Sequence, residues 1–255
     1  MKVTIFGLFL FVGFTSFAGK NPSDLDSIKS RIAKEKRVLK VAVIDTGLDQ
    51  DDPRFKSVLC KSGHKNFING STKTNDNHGH GTHIAGLIKK FAGDKGYCLV
   101  ILKYFDAVSD GGNTLYREIQ AIKWAHHIGA DIVNFSGGGK NFEAIEYHAV
   151  KNAKNTMFFV AAGNQGKDIS KEQDKFYPAS YQLPNITVIG NVDSQMQRTP
   201  SSNYGDHRII WEVGTNVHSS VPCSLYGSCE MSMTGTSQST AVYTGKMIRR
   251  ILRGK

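Results

Sequence analysis

Residues 38–47 read V-L-K-V-A-V-I-D-T-G, a nearly unbroken apolar run followed by an aspartate, a threonine and a glycine. A run of this length that ends in turn residues suits a β-strand buried on both faces, the situation of parallel strands covered by helices. Asp45 then stands at the carboxyl end of that strand, the rim where open α/β sheets build their sites.

Similar runs occur at 99–105, 131–135, 156–162 and 186–192, and segments of helical period separate them at 80–91, 114–127, 142–154 and 237–253. Strand and helix in alternation predict an α/β fold, a three-layer α/β/α sandwich around a mostly parallel twisted sheet. With 255 residues and 40% hydrophobic content, the chain accommodates one large domain rather than two. It contains no internal repeat, no low-complexity tract and no Pro-rich linker.

Toward the N-terminus, Lys2 precedes an apolar stretch over 3–12 and then small and aromatic residues ending at Ala18. That pattern is a secretory signal over 1–18, too short in its apolar part to span a bilayer. Export follows as the expectation, to the periplasm or the extracellular medium. Residues 19–39 form a short lead-in and possible pro-segment, helix-compatible over 21–36 with Leu25, Ile28 and Ile32 on one face. The body of the domain is 40–255. About twenty residues are too few for a folding-assistant propeptide, so the expectation is folding without one, with trimming near Lys36-Arg37.

An exported chain tolerates disulfides, and the four cysteines Cys60, Cys98, Cys223 and Cys229 allow three pairings. Cys223 and Cys229 flank a turn-like segment, so a local bridge there is the simplest choice, leaving Cys60 with Cys98. The absence of a C-x-x-C pair argues against structural zinc. Formal net charge is +10, or +9 once the signal and its single Lys2 are gone (10 − 1), with basic residues dense at 29–40 and 246–255. Such a field attracts anionic envelope surfaces, but no base-reading motif accompanies it, so nucleic acid is not an expected partner.

Three motifs carry the chemistry. Asp45 opens D-T-G at 45–47; His80 opens H-G-T-H-I-A-G at 80–86, where Gly81 and Ala85 allow a helix to lie close to the sheet; Ser237 sits in T-G-T-S at 234–237, opening the last helix. Each alone has an ordinary structural explanation: a loop carboxylate, a helix start, a helix cap. His78, His80 and His83 also admit a metal-cluster reading, weakened by the lack of an acidic fourth ligand other than Asp76. Together the three motifs describe a serine hydroxyl, an imidazole to take its proton and a carboxylate to orient that imidazole, in one of the known chain orders.

These motifs resemble those of the subtilisin-like serine peptidases (subtilases), and the resemblance runs from about Lys40 to the C-terminus. It implies that Asp45 orients, His80 is the general base and later acid, and Ser237 is the nucleophile. A-A-G-N over 161–164 resembles the family stretch whose asparagine, here Asn164, donates to the oxyanion, with Gly163 beside it at the substrate. Ser136, Gly137 and Gly138 resemble the strand that pairs with extended substrate and walls the first specificity pocket, and Phe176 falls at the far end of that pocket. The implied activity is a secreted serine endopeptidase of broad specificity, a monomer cutting extended polypeptides without a cofactor. A catalytically inactive binding protein acting through its basic surface is the alternative.

Two departures from the family pattern matter. Arg54, after Asp51-Asp52-Pro53, occupies a position where calcium-binding members carry an aspartate, so the main calcium site is expected to be missing. Phe176 is bulkier than the residue usual there, which implies a shallow pocket favouring small or medium side chains on the acyl side of the cut.

Overall fold

β1, Leu39–Asp45, runs through the middle of the molecule and is buried almost throughout. The computed structural model describes residues 22–106 and 113–253, so the expected signal at 1–18 lies outside the described residues. In chain order the elements are α1 (Pro22–Lys34), β1, β2 (Lys65–Asn66), α2 (His80–Ala92), β3 (Tyr97–Lys103), α3 (Thr114–His127) and β4 (Ile132–Phe135). There follow α4 (Ala144–Asn152), β5 (Met157–Ala161), β6 (Ile186–Val192), β7 (Ile210–Val213), β8 (Val217–Ser220), α5 (Cys223–Tyr226), β9 (Glu230–Met233) and α6 (Thr236–Arg253).

Seven strands form one sheet in the order β2-β3-β1-β4-β5-β6-β7, and every neighbouring pair is parallel. Alternation along each strand explains the unbroken apolar runs. Ala42 and Ile44 of β1, with Phe158 and Val160 of β5, face a core shared with Ala121 and Ile122 of α3 and Val150 of α4. Val41, Val43 and Phe159 face the opposite core, closed by Ile28 of α1, Ile84 and Leu87 of α2, and Ala241 and Ile248 of α6. Both faces are thus covered, as a parallel sheet requires, and the subtilisin-like three-layer architecture is the observed one.

The segment read as a lead-in packs onto this body. Ile28 is 2% exposed, and Arg31 and Arg37 both bond Asp131, at 2.5 Å and at 2.6 and 2.8 Å. Burial opposes the Asp131 charge, yet bonds from Arg37, the Lys40 amide and Arg31 outweigh it and hold the carboxyl below its usual range.

Outside the main sheet, β8 and β9 form an antiparallel hairpin that the sequence did not announce. Its strands are polar and half exposed, so they show no apolar run. The hairpin carries the Cys223–Cys229 bridge, and Cys60–Cys98 is the other. Sequence separations of 38 and 6 residues imply chain-entropy stabilisation of about 4 and about 2 kcal/mol.

Candidate active site

After β1 the chain builds β2 and β3 on one side of it, and then crosses to place β4 on the other. The carboxyl ends of β1 and β4 therefore border the crevice where such sheets bind their ligands. In that register Ile44 pairs with Phe135, so the next residues along are Asp45 and Ser136.

Asp45 is buried, 3% exposed. Its Oδ1 accepts the Thr46 amide at 2.8 Å and His80 Nδ1 at 2.7 Å. Engaging Nδ1 as the donor leaves Nε2 as the basic nitrogen of the ring. Burial works against the imidazolium, but the charge and hydrogen bond of Asp45, with the charge of Asp76, prevail and raise the His80 pKa above its ordinary value. His83, two residues past Gly81, is the opposite case: burial lowers it to about 4, so it stays neutral.

The approach to His80 is built by Asp76. Its Oδ1 accepts the amides of His78 and Gly79 at 3.0 and 2.8 Å and the Thr46 hydroxyl at 2.9 Å. Its Oδ2 accepts the Thr82 amide and hydroxyl at 2.9 and 2.6 Å. These bonds satisfy amides that the first turn of a helix leaves without internal partners. Gly81 permits the close approach, since a Cβ there would stand 2.3 Å from Gly47 O.

Ser237 lies in the first turn of α6 and is 7% exposed. Its hydroxyl donates to Ser136 O at 3.2 Å, and the Ser136 hydroxyl donates back to Ser237 O at 3.4 Å. The expected unbroken line from carboxylate to imidazole to hydroxyl is therefore half made. The Asp45–His80 bond is formed, whereas the serine hydroxyl is turned onto a carbonyl. Ser136 joins the two halves, because it also lines one cleft with Asp45, His80, Tyr104 and Gly137. That cleft, about 140 Å³, accommodates a side chain rather than a whole small molecule.

Asn164 is oriented from behind. Its Oδ1 accepts the Thr236 amide at 2.9 Å and the Thr236 hydroxyl at 3.0 Å. With the oxygen end committed, the amide nitrogen is the free end, and Asn164 is exposed. Beside it, a Cβ on Gly163 would lie 3.0 Å from the Phe176 ring, and one on Gly138 would lie 2.6 Å from it. The ring of Phe176 thus occupies the space between these two glycines. Gly139 is bonded in both directions to the Tyr177 backbone, at 2.8 and 2.7 Å. Its polar groups are spent there, one residue beyond the 136–138 stretch.

The geometry is a serine at a helix start, an imidazole on a buried carboxylate and an asparagine amide held by Thr236 beside the serine, and the subtilase family model matches residues 36–248. The chain belongs to the subtilase family. It is 29% identical over 219 residues to subtilisin DY of Bacillus licheniformis, covering 81% of this chain and 74% of that protein. It is 31% identical over 222 residues to the major intracellular serine protease of Bacillus subtilis strain 168, covering 82% and 67%. Among solved structures, a cold-adapted subtilisin-like serine proteinase superposes with a TM-score of 0.68 at 25% identity, covering 81% of this chain and 72% of that one. A lanthipeptide protease shares the fold with a TM-score of 0.70 at 21% identity, covering 91% and 83%.

This subtilase is accordingly a serine-type endopeptidase acting on peptides, and the comparisons give no support to an inactive binding protein. The three histidines of the metal-cluster reading do not converge: His80 bonds Asp45, His83 Nε2 meets Met231 O at 3.1 Å, and the His78 ring lies edge-on to Phe105 and to His80, with centroids 6.2 and 6.3 Å away. No group of three His, Cys, Asp or Glu side chains converges as a metal site among the described residues. Arg54 clamps the Asp52 carboxylate with Nη2 at 2.6 Å and reaches the carbonyls of Val221 and Cys229. A calcium ion at that position would meet a guanidinium, so the residues present do not suit one.

Sequence reading missed Asp76 as an organiser, Thr236 as the holder of Asn164, and Tyr226. Asp76 had a signal, an aspartate shortly before a helix start. Tyr226 had none, since it reaches the site from 148 residues away.

Proposed function

We propose that this subtilase is exported and cleaves extended polypeptides through Ser237, His80 and Asp45, with Asn164 completing the oxyanion site. The observation that carries the reading is the 2.7 Å contact between His80 Nδ1 and buried Asp45, which leaves Nε2 free to act as a base. Rotation about the Cα–Cβ bond of Ser237 releases its hydroxyl from Ser136 O and turns it toward Nε2. Ser237 Oγ then attacks the substrate carbonyl while His80 takes its proton, and Asp45 stabilises the imidazolium. The developing oxyanion is met by the Ser237 amide in the first turn of α6 and by Asn164 Nδ2, and the helix dipole favours its charge. His80 returns the proton to the leaving amine, and water repeats the sequence to release the acyl group.

The open edge from Ser136 to Gly138 supports backbone pairing with substrate, which tolerates many sequences. Phe176 between Gly138 and Gly163 supports a shallow first pocket suited to small or medium side chains. A fluorophosphonate probe tests the nucleophile: labelling is expected in the parent enzyme and absent in Ser237→Ala. Labelling that persists in Ser237→Ala would refute the assignment. Terminal sequencing of protein recovered outside the cytoplasm tests export and shows whether the chain is cut after Ala18 or near Lys36-Arg37.

A further inference from the structure

The peptide segment that presents His80 is held from two sides. From within, Asp76 takes the His78 and Gly79 amides. From outside, the Tyr226 hydroxyl donates to the His78 carbonyl at 2.5 Å. Both backbone polar groups of His78 are therefore fixed, two residues before the start of α2. Gly79 has a left-handed φ of 92°, and the Tyr226 ring fills the space its side chain would take, with Cε2 2.6 Å from the Cβ position.

Tyr226 is anchored in turn. It ends α5, inside the loop closed by Cys223–Cys229, and Gly227 N bonds Cys223 O at 3.2 Å. Arg54 pins both flanks of this loop through Val221 O at 2.8 Å and Cys229 O at 2.5 Å, while Asp52 holds Arg54. The hairpin beneath also grips α2 further along, where the Ser219 hydroxyl donates to His83 O at 2.8 Å. A side chain 43% exposed at the tip of a short loop contributes little to the core, yet this one is fastened at one end and spent on the approach to His80 at the other.

We propose that Tyr226, on its disulfide-closed and Arg54-pinned loop, is a positioning residue for His80, fixing the His78–Gly79 peptide against Asp76 so that the imidazole meets Asp45 and Ser237 in register. The proposal rests on the assignment of His80 as the base. Misplacement of a catalytic group by a fraction of an ångström slows the chemical step without weakening substrate binding.

The test measures three variants against the parent enzyme. Tyr226→Phe keeps the ring and removes the hydroxyl. Cys223→Ser/Cys229→Ser opens the loop. Cys60→Ser/Cys98→Ser removes a bridge at the start of β3, the opposite rim of the sheet, and serves as the control. For Tyr226→Phe the expectation is a fall of about three- to tenfold in both kcat and the fluorophosphonate labelling rate, the range of one lost hydrogen bond, with KM within about twofold. The acid limb of kcat/KM should move down as contact with Asp45 loosens, in a region where Asp45, Asp76, His78 and His83 are the neighbouring titratable groups. The opened loop should show the same pattern more strongly. The control should lower the melting temperature and leave the acid limb in place. Parent-like labelling and an unmoved acid limb in Tyr226→Phe and the opened loop would overturn the proposal, as would an equal shift in the control. Failure of the probe to label the parent enzyme would instead sink the catalytic assignment, and this role with it.

Discussion

Asn164 is held by one end only. Thr236 occupies its oxygen through two hydrogen bonds, so the side chain cannot flip without breaking both, and in the proposed mechanism its nitrogen meets the oxyanion. Replacing Asn164 by Ala should cost roughly 3 to 4 kcal/mol of transition-state stabilisation, a figure carried over from subtilisin, a relative in this same family. Steady-state kinetics should place that loss in kcat, with KM little changed; a loss confined to KM would mean that Asn164 binds the ground state. Thr236 matters in the same way at one remove. The ring of Phe176 lies between Gly138 and Gly163, and in the proposed reading it is the floor of the first pocket. Phe176→Gly should deepen the pocket and shift a peptide-library profile from small and medium residues toward large aromatics, by at least tenfold in relative kcat/KM. A parent enzyme that already prefers large aromatics would contradict the packing argument.

Helices α3 and α4 meet over a pair of buried carboxyls, Glu118 and Glu146, exposed by 7% and 3%. The Tyr181 hydroxyl donates to Glu146 Oε2 at 2.8 Å, and Glu118 lies close enough to Glu146 for the two carboxyls to act on each other's charge. Burial first, then the charge of and bond to Glu146, push Glu118 well above the usual carboxylate range; burial likewise raises Glu146. The folded protein therefore holds a proton that the unfolded chain has released. Stability from this pair is fully present below the ordinary carboxylate pKa and is lost as pH climbs through the raised one. Glu118→Gln supplies a permanent neutral donor, so denaturation midpoints measured across pH should decline less steeply toward alkaline pH than in the parent. Identical slopes in both proteins would show that the pair does not share a proton. The effect belongs to the element scale because neither helix alone buries either group.

At the scale of the whole molecule, α6 joins the two ends of the protein. It begins at Thr236, beside Ser237, and runs 18 residues, about 27 Å, to an exposed basic end at Arg249, Arg250 and Arg253. A surface bound at that end leaves the catalytic rim facing away, so we propose attachment to anionic envelopes through this end. At about 1 kcal/mol for each basic residue near the surface, changing all three arginines to Gln should weaken binding to phosphatidylglycerol vesicles about a hundredfold at low salt. Binding should also collapse as salt shortens the screening length. Co-sedimentation across a salt series checks both, and salt-insensitive binding would count against an electrostatic attachment.

Five of the strands, β1, β3, β4, β5 and β6, and the longer helices were legible because their signal is local, whereas β2 and β7 at the sheet edges were not read. β6 coincides with the 186–192 run and α3 with the 114–127 segment, since burial on both faces leaves an unbroken apolar run and burial on one leaves a helical period. The motifs around Asp45, His80 and Ser237 were legible because each carries a glycine, Gly47, Gly81 or Gly235, within two residues, and close packing demands glycine at Gly47 and Gly81. The hairpin of β8 and β9 was not, because polar, half-exposed strands carry no such period. Only the folded chain decided that the Ser237 hydroxyl rests on Ser136 O, that Phe176 fills the space between Gly138 and Gly163, and that Tyr226 reaches back to His78. The physical reason is distance along the chain: periodicity and turn chemistry act over a few residues, whereas these contacts join side chains separated by 13 to 148 positions, brought together by the burial of the whole core.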